Sequence, residues 1–347
     1  MSGAIEVRLS TPADDPQRDS FVRSSPRATF FHLSGWRRVV ERVFRHEPLD
    51  LLALDGQAVV GVLPLMGCRG LRGGRALISS PYAVYGGPAG ASPEVERALF
   101  EAAEKRAVEL GVKRLELRCL DDPGLDLPRS ELYATFIRDL PTQAAEVLPR
   151  MPKKSRADAR KARQEHGLTL DEGRWFVADL ARLFHRNKRS LGSPAMPAAW
   201  FAELLREFGD GATVHLVRRG AEPLAAVMSF LFRDTVLAYH SGTGVDVDRN
   251  YKASVYMYLA LQEWAVDAGY RVFDFGRSRK DSGPFAFKTH QGFEPRDLHY
   301  RYRLVRDRET PSLNPSNPKT KVLQDTWSRL PLWLTTALST PAARYLP

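Results

Sequence analysis

Glycine, serine and basic residues crowd residues 273–293, a segment that begins with the strand-like sequence F-D-F-G. Arg277, Arg279, Lys280 and Lys288 follow in this segment and could all face an anion. Folds that combine helices with a sheet commonly bind ligands in the crevice beyond the carboxyl ends of the strands. The segment therefore predicts an anion-binding site at the end of a strand.

Lys288 differs from the other cations because aromatic residues flank it and no acid adjoins it in sequence. The flanking residues are Phe285, Phe287 and Phe293. A lysine in this setting either extends its ammonium group past the aromatic surface into water or has a functional role. Both interpretations stay open at the level of sequence.

Asp274 is an acid inside an apolar strand. Such a carboxylate is often a paired structural group, and the sequence offers Arg277 or Arg118 as its partner. A carboxylate at the end of a strand could instead accept a proton during a reaction.

A second concentration of positive charge lies at residues 150–166, where seven basic and two acidic residues give a net charge of +5. If the chain is helical from Lys153 onward, Lys153, Arg156, Arg160 and Arg163 fall along one stripe of the helix. Such a stripe suits phosphate oxygens. The same pattern also fits a solvated linker helix.

The composition limits the class of protein. The 347 residues, 43% of them apolar and 27% charged, exceed what one hydrophobic core usually serves, so we expect two domains. No stretch approaches about 18 uncharged apolar residues, which argues against a membrane channel, and the amino terminus does not resemble a secretion signal. We therefore expect a cytoplasmic protein. The net charge of +10 favours anionic partners.

Several familiar sites are missing from the sequence. The two cysteines, Cys68 and Cys119, exclude a disulfide scaffold, and the eight histidines lack metal-binding spacing, so no metal site is predicted. The motifs of nucleotide hydrolysis, dinucleotide binding and serine hydrolysis do not occur. In R-N-Y-K-A-S, residues 249–254, Lys252 stands where the cofactor loop of acetyltransferases has glycine, which disfavours binding of acetyl coenzyme A.

Two stretches about 160 residues apart follow the same order of elements. Each has a hairpin, then a cluster of tyrosine and glycine around Tyr85 or around Tyr239 and His240, then a helix that ends near Gly111 or Gly269. A strand with an acid at the same place closes each stretch, as L-E-L-R in the first and F-D-F-G in the second. The repeat predicts two α/β units of similar construction, with mixed sheets flanked by helices.

Seven motifs in order carry a resemblance to a known family. They are F-H-L-S-G-W (31–36), V-V-G-V-L-P-L (59–65), S-P-Y-A-V-Y-G-G (80–87), L-E-L-R (115–118), F-D-F-G-R-S (273–278), F-K-T-H-Q-G-F (287–293) and N-P-S-N-P-K (314–319). The chain resembles, over nearly its whole length, the FemAB-like proteins associated with exosortase and PEP-CTERM systems.

This resemblance implies the fold and the activity of the broader FemABX group. Its fold is a tandem pair of acetyltransferase-like (GNAT) domains, and its members transfer an amino acid from aminoacyl-tRNA to an amine on a peptidoglycan precursor. We therefore expect domains at 1–148 and 171–310, a basic linker helix at 149–170, and an extension at 311–347 that packs on the second domain. The extension is too short to span a bilayer, although Trp333 and Arg344 would suit peripheral contact with an inner membrane.

The expected reaction is transfer of an acyl or aminoacyl group to an amine on a cell-envelope or exopolysaccharide precursor. The donor is a co-substrate, either aminoacyl-tRNA or an acyl thioester. The choice stays open because the sequence lacks the coiled-coil arm that tRNA-dependent members often carry. No cofactor is expected. The rival hypothesis is a non-catalytic tandem GNAT scaffold whose cationic cleft binds nucleic acid or a glycolipid diphosphate.

The resemblance and the patterns together assign the site residues. The family's phenylalanine and lysine pair, implicated in transfer, corresponds to Phe287 and Lys288. An ammonium at residue 288 would stabilise the negative oxygen of a tetrahedral intermediate, and the proton of the amine could pass to the leaving group, water, Asp274 or His240. The predicted catalytic residues are Lys288, Asp274 and Arg277, and the predicted substrate-binding residues are Lys153, Arg156, Arg160, Lys161, Tyr85, Tyr239, His240 and Phe287.

Overall fold

A computed structural model describes residues 5–70, 73–244, 246–311 and 318–347, with the side chains of 318–321 excepted. The motif N-P-S-N-P-K therefore lies almost entirely outside the described residues. The chain forms two compact units. Unit 1 comprises Met1–Tyr133, Asp297–Ser312 and Arg344–Pro347, and unit 2 comprises Ala134–Arg296 and Leu313–Ala343.

Both units contain strands and helices. The strands are β1 (Glu6–Leu9), β2 (Glu47–Pro48), β3 (Leu51–Asp55), β4 (Ala58–Leu63), β5 (Met66–Arg69), β6 (Arg75–Ile78), β7 (Ala89–Gly90), β8 (Arg114–Cys119), β9 (Arg129–Ser130), β10 (Tyr133–Thr135), β11 (Ile137–Asp139), β12 (Leu168–Glu172), β13 (Ala212–Arg219), β14 (Glu222–Phe232), β15 (Thr235–Thr243), β16 (Val272–Asp274), β17 (Ser278–Arg279), β18 (Arg296–Asp297) and β19 (His299–Leu304). The helices are α1 (Asp15–Ser24), α2 (Ser34–Phe44), α3 (Pro93–Glu109), α4 (Val147–Arg150), α5 (Lys153–Gln164), α6 (Val177–Ser190), α7 (Ala198–Phe208), α8 (Val247–Tyr251), α9 (Ala253–Asp267), α10 (Gly283–His290), α11 (Pro318–Arg329) and α12 (Leu332–Ala343).

Unit 1 contains two sheets, with strand orders β1-β3-β4-β7 and β2-β5-β6-β8-β19-β9. The predicted hairpin of β3 and β4 forms around Gly56, whose φ of +60° is easily adopted only by glycine. Helix α3 begins where the sequence predicts, because the Ser92 side chain accepts a hydrogen bond from the backbone N–H of Val95. Its apolar residues, such as Leu99, join those of β3 and β8 in one core.

Unit 2 is built on a six-stranded sheet of order β11-β16-β15-β14-β13-β12. Strands β12 to β15 pair antiparallel, and β15 and β16 pair parallel. Helix α9 is buried on almost every side because small and apolar residues surround its whole circumference. It ends before Gly269, whose φ is +86°, as the sequence predicts.

The division of the chain differs in detail from the sequence-based domain bounds. Residues 134–148 belong to unit 2. Strand β19, which was expected in the second domain, pairs with β8 and β9 of unit 1. The expected linker helix α5 is an integral part of unit 2, since Ala159 lies in a buried cluster with Leu259 of α9. The return of β19 to the first unit depends on pairing between strands about 180 residues apart, which no local pattern records.

Among the described residues, no helix combines the length and the apolar content that crossing a bilayer requires. Within the same residues, no group of three or more His, Cys, Asp or Glu side chains is arranged to hold a metal ion.

Candidate functional site in unit 2

The parallel strands β15 and β16 pair over only three residues and then part. Thr235, Val236 and Leu237 pair with Val272, Phe273 and Asp274, whereas β15 continues to Thr243. The pairing of β14 with β15 is irregular after Met228, so Tyr239 is an extra residue in a bulge. The parting strands and the bulge open the sheet at the carboxyl ends of neighbouring parallel strands, which is where folds of this class commonly bind ligands.

Lys288 is buried against the turn that follows β16, with 8% of its surface exposed. Its Nζ donates hydrogen bonds to the carbonyl oxygens of Phe275 at 2.6 Å, Gly276 at 2.8 Å and Arg277 at 3.2 Å. The rings of Phe136 and Phe275 lie 5.4 and 5.3 Å from the same atom. The side chain therefore does not extend into water, and all three ammonium donors hold the 275–277 turn.

Burial lowers the pKa of Lys288 to about 7, while the Asp274 carboxylate opposes this shift and the Arg277 guanidinium reinforces it. Asp274 is itself 5% exposed, and its Oδ1 accepts a hydrogen bond of 2.7 Å from the backbone N–H of Gly276. The predicted catalytic residues Lys288, Asp274 and Arg277 thus surround one turn.

Arg118, one of the two partners considered for Asp274, is committed elsewhere. It is buried in unit 1, where its Nε donates to Glu116 at 2.8 Å and its Nη1 donates to the carbonyl of Ala83 at 3.1 Å. Arg118 pairs with the acid of its own repeat, which corresponds to Asp274 in the second repeat.

A further cation, Lys188 on α6, belongs to the same group and was not identified from the sequence. Its Nζ lies 5.3 Å from the centre of the Phe184 ring. Burial and the nearby Arg277 guanidinium both lower the pKa of Lys188. Lys188 and Lys288 therefore each lie within electrostatic reach of Arg277. The sequence signal was the run H-R-N-K-R at 185–189, which resembles an ordinary charged helix end.

His240 is held neutral by its surroundings. The indole N–H of Trp200 donates a hydrogen bond of 2.9 Å to His240 Nε2, so the proton of the neutral ring resides on Nδ1. Phe184 and Phe201 contact the ring edge to face. Burial, with a smaller contribution from Lys188, lowers the pKa of His240 to about 3. With its Nε2 engaged by Trp200 and its pKa lowered, the His240 ring is a poor proton acceptor at neutral pH.

We expect the His240 ring to stay neutral and protonated on Nδ1 from pH 8 down to about pH 5, because its lowered pKa delays protonation. Nitrogen chemical shifts of histidine-labelled protein would report both the charge and the tautomer. Trp200→Phe removes the donor, and it should abolish the single-tautomer signal of His240 without affecting buried His215. An inflection of His240 near pH 6.5 in the wild type would contradict this account.

Helix α5 presents a basic outer face, as predicted, and buries Ser155, Ala159 and Ala162. Ser155 Oγ donates to the carbonyl of His290 at 2.6 Å, which joins α5 to the helix that carries Lys288. Arg163 leaves the predicted stripe, because it forms an ion pair with Glu263 of α9.

The rest of the stripe is available for a ligand. Among the residues that the structure describes, no acidic side chain forms an ion pair with Lys153, Arg156 or Arg160, while Lys161 lies 3.8 Å from Glu165. Lys153 and Arg160 are exposed and Arg156 is half-buried.

Arg156→Ala combined with Arg160→Ala is expected to weaken the binding of a phosphate-bearing substrate. For a polynucleotide, the slope of log K against log salt should fall by about 1.5, since each phosphate contact contributes about 0.7–0.9. Titrations at several salt concentrations would measure this slope. Arg163→Ala, on the same helix but at an ion-paired position, is the control and should leave the slope nearly unchanged. Salt-independent binding by the wild type would reduce the stripe to a solvated surface.

Residues 249–254, compared above with the cofactor loop of acetyltransferases, lead into α9, and an acidic side chain of the protein itself binds the amino-terminal end of this helix. The Asp248 carboxylate accepts hydrogen bonds from the Ser254 backbone N–H at 2.6 Å and the Ser254 hydroxyl at 2.7 Å. Lys252 adopts a φ of +57° at the position where glycine was expected. A helix amino terminus attracts anions, and the Asp248 carboxylate meets this preference at the start of α9.

The remaining predicted binding residues have mixed environments. The ring centres of Tyr239 and His240 are 4.5 Å apart, and those of half-buried Phe287 and Phe275 are 6.3 Å apart. Tyr239 and Phe287 therefore both belong to the group in unit 2. Tyr85 lies in unit 1, where it is 2% exposed. It lines a cleft of about 320 Å³ together with Gly87 and Cys119.

Comparison with known proteins gives the class of fold. Residues 150–289 match the family profile described as the acetyltransferase (GNAT) domain. The structure is similar to FemX, with a TM-score of 0.63 and 13% identity over 87% of this chain and 98% of that one. It is also similar to a tandem GNAT protein from the clavulanic acid biosynthesis pathway, with a TM-score of 0.51 and 16% identity over 89% of this chain and 99% of that one.

A further similar structure is the C-terminal domain of a putative lysylphosphatidylglycerol synthetase from Agrobacterium fabrum, with a TM-score of 0.52. The identity is 14%, over 84% of this chain and 92% of that domain. No curated protein matches the chain in sequence. The predicted fold class, an α/β fold of the tandem GNAT type with mixed sheets, is confirmed. The predicted resemblance is confirmed to the extent of a GNAT domain and a FemX-like fold.

Proposed function

We propose that the protein transfers an acyl or aminoacyl group to an amine on a cell-envelope or exopolysaccharide precursor. The observation that carries this proposal is the buried ammonium of Lys288, which holds the 275–277 turn where β15 and β16 part, within the segment that matches a GNAT domain. Arg277 lies in this turn, and Lys188 lies within its electrostatic reach. Acyl transfer develops negative charge on a carbonyl oxygen, and oriented cations and N–H donors stabilise such charge.

In the proposed reaction, the acceptor amine forms a C–N bond with the carbonyl carbon of the donor. The C–O or C–S bond to the leaving group then breaks, and the amine proton ends on the leaving atom, either directly or through Asp274. Lys188 and Arg277 would stabilise the oxyanion or donor phosphate. Lys288 would hold the 275–277 turn in place, so that Arg277 is correctly oriented. No Ser or Cys nucleophile is needed.

For the donor, we favour an aminoacyl ester such as aminoacyl-tRNA over acetyl coenzyme A. The contacts of Asp248 with Ser254 support this choice, because a carboxylate at the start of α9 would repel a coenzyme diphosphate that approached this helix end. The exposed cations of α5 suit the phosphates of a polynucleotide donor.

The acceptor is proposed from similarity to other proteins. The sequence motifs resemble the exosortase-associated FemAB-like branch, and one structural neighbour is named as a putative lysylphosphatidylglycerol synthetase domain. An amine on a lipid-linked or sugar-linked envelope precursor agrees with both. We propose that the reaction takes place on the cytoplasmic side of the inner membrane.

The test is to incubate the purified full chain separately with a mixture of charged tRNAs and with acetyl coenzyme A, each with an extract of lipid-linked sugar precursors. Mass spectrometry of the acceptor fraction should reveal a mass increase equal to one aminoacyl residue with charged tRNA and none with acetyl coenzyme A. Tight, salt-sensitive binding without any mass transfer would instead favour the non-catalytic scaffold and contradict the proposal.

A further inference from the structure

Large apolar side chains are exposed on one side of unit 2, on α11, on α12 and at the end of α6. Their exposed fractions are 64% for Val322, 70% for Leu323, 72% for Trp333, 42% for Leu338 and 59% for Leu191. Single exposed apolar residues are common, but several on neighbouring elements indicate an interaction surface. We call these five residues the apolar face.

The elements of the apolar face contact one another. Gly192, next to Leu191, approaches α11 so closely that a Cβ atom there would lie 2.5 Å from the carbonyl oxygen of Gln324. Arg189 Nε donates a hydrogen bond of 2.6 Å to the carbonyl of Leu330, just before α12. The elements that carry the exposed residues are therefore joined through the end of α6.

Helix α12 buries small and polar side chains while it exposes large apolar ones. Its buried side carries Thr335, Ser339 and Ala343, spaced four residues apart, with exposed fractions of 3%, 1% and 5%. Ser339 Oγ accepts from the Ala195 N–H and donates to the Thr335 carbonyl. Trp333 and Leu338 point outward. A water-facing helix places its apolar stripe inward, so this arrangement suits an apolar environment outside.

The space beneath the helices is polar as well. The side chains packed between α6, α11 and α12 include the polar groups of His185, Ser193 and Thr336. Within the described residues, the buried indole N–H of Trp327 in this region has no hydrogen-bond partner. Polar groups inside and apolar groups outside are typical of protein surfaces in contact with lipid.

The charges around the apolar face select the kind of lipid. Residues 332–343 contain no charged side chain, and exposed Arg329 precedes them. Arg186 of α6 is also exposed. Asp325 is the only acid from residue 318 to residue 347, against four Lys and Arg. An apolar face bordered by arginines on a chain of net charge +10 complements an anionic phospholipid surface.

We infer that the apolar face docks on an anionic phospholipid bilayer, with α12 lying in the interfacial plane. At 12 residues, α12 is about 18 Å long and cannot cross the hydrocarbon core. Trp333 inserts at the level of the headgroups, as amphipathic aromatic rings do. The inference concerns location and does not depend on the proposed transfer reaction.

Vesicle sedimentation of the full chain tests the inference. The wild type should bind vesicles of phosphatidylcholine with about 30 mol % phosphatidylglycerol, and it should bind pure phosphatidylcholine vesicles much more weakly. Trp333→Ser combined with Leu338→Ser should reduce binding about tenfold or more, because two apolar anchors are lost. Trp175→Ser is the matched control, since Trp175 is 76% exposed in unit 2 but lies outside the apolar face.

Three results would overturn the inference. They are failure of the wild type to bind anionic vesicles, equal loss of binding in the Trp175→Ser control, and a dimer that the double substitution dissociates while vesicle binding is absent. The last result would assign the apolar face to a second copy of the chain. Unchanged thermal unfolding of the double variant would show that the fold is intact. Transfer to a detergent-solubilised acceptor separates the two proposals, because the double variant should retain it.

Discussion

Lys288→Ala is expected to lower the rate of acyl transfer by about 10²-fold, because a displacement of about 1 Å in a positioned catalytic group can cost that much. The side chain is the common anchor of three carbonyls in the 275–277 turn. Without it, the Arg277 guanidinium and the Asp274 carboxylate lose their fixed positions. Because Lys288 is small compared with the core around it, the fold should survive the substitution. Turnover of the full chain with its acyl donor is the measurement.

The pH dependence separates a positioning role of Lys288 from a merely structural one. With a pKa of about 7 in the folded protein, the wild type should lose activity as pH rises above 7, because the neutral amine has one donor fewer for the turn. The activity of Lys288→Arg should not fall as pH rises above 7, because the guanidinium stays charged. Thr289→Ala, at the exposed neighbouring position, is the control for the helix. Unchanged turnover of Lys288→Ala would remove the residue from the mechanism.

Asp50→Ala is expected to reduce the free energy of unfolding of unit 1 by about 3–5 kcal/mol, which is the usual cost of leaving one partner of a buried ion pair uncompensated. Arg18 and Asp50 form an ion pair with side chains that are each 1% exposed. Arg18 also donates to the carbonyl of His32 at 3.0 Å, and Asp50 accepts from the Leu65 N–H at 2.8 Å. The pair therefore joins α1 to the entry of β3.

Chemical denaturation followed by circular dichroism would measure this loss. Glu131→Ala is the control, because it breaks the exposed ion pair with Arg129, in which the side chains are 62% and 69% exposed, and should change stability by less than about 1 kcal/mol. Replacing Arg18 and Asp50 together by apolar residues should be less harmful than Asp50→Ala alone. Equal stability of Asp50→Ala and Glu131→Ala would contradict the account.

Local patterns predicted much of the secondary structure of both units. Capping and periodicity involve only a few neighbouring residues. The sequence therefore correctly predicted the cap at Ser92, the glycines after α3 and α9, and the start of α5 at Lys153. The resemblance to the FemABX group supplied the tandem GNAT arrangement. The membership of residues 134–148 and of β19 was not predicted, since it depends on long-range strand pairing.

The candidate site was predicted in part, for the same reason. The segment around Lys288 was identified from its composition, but its contact with three carbonyls was not. Arg163 looked equivalent to Arg160 in sequence, yet Glu263, 100 residues away, pairs with it. The indole of Trp200 on α7 determines the tautomer of His240, and no spacing in the sequence links the two.

The sequence by itself determined the types of element, the repeated α/β plan, the excess of positive charge and the loss of the acetyltransferase glycine at Lys252. These properties follow from residue type and short-range spacing. Only the tertiary structure decided that Lys188 and Lys288 both lie near Arg277 and that Asp248 accepts hydrogen bonds at the start of α9. It also decided that Trp333 and Leu338 of α12 are exposed. Packing of distant segments decides burial and proximity, and these in turn decide which charges act together.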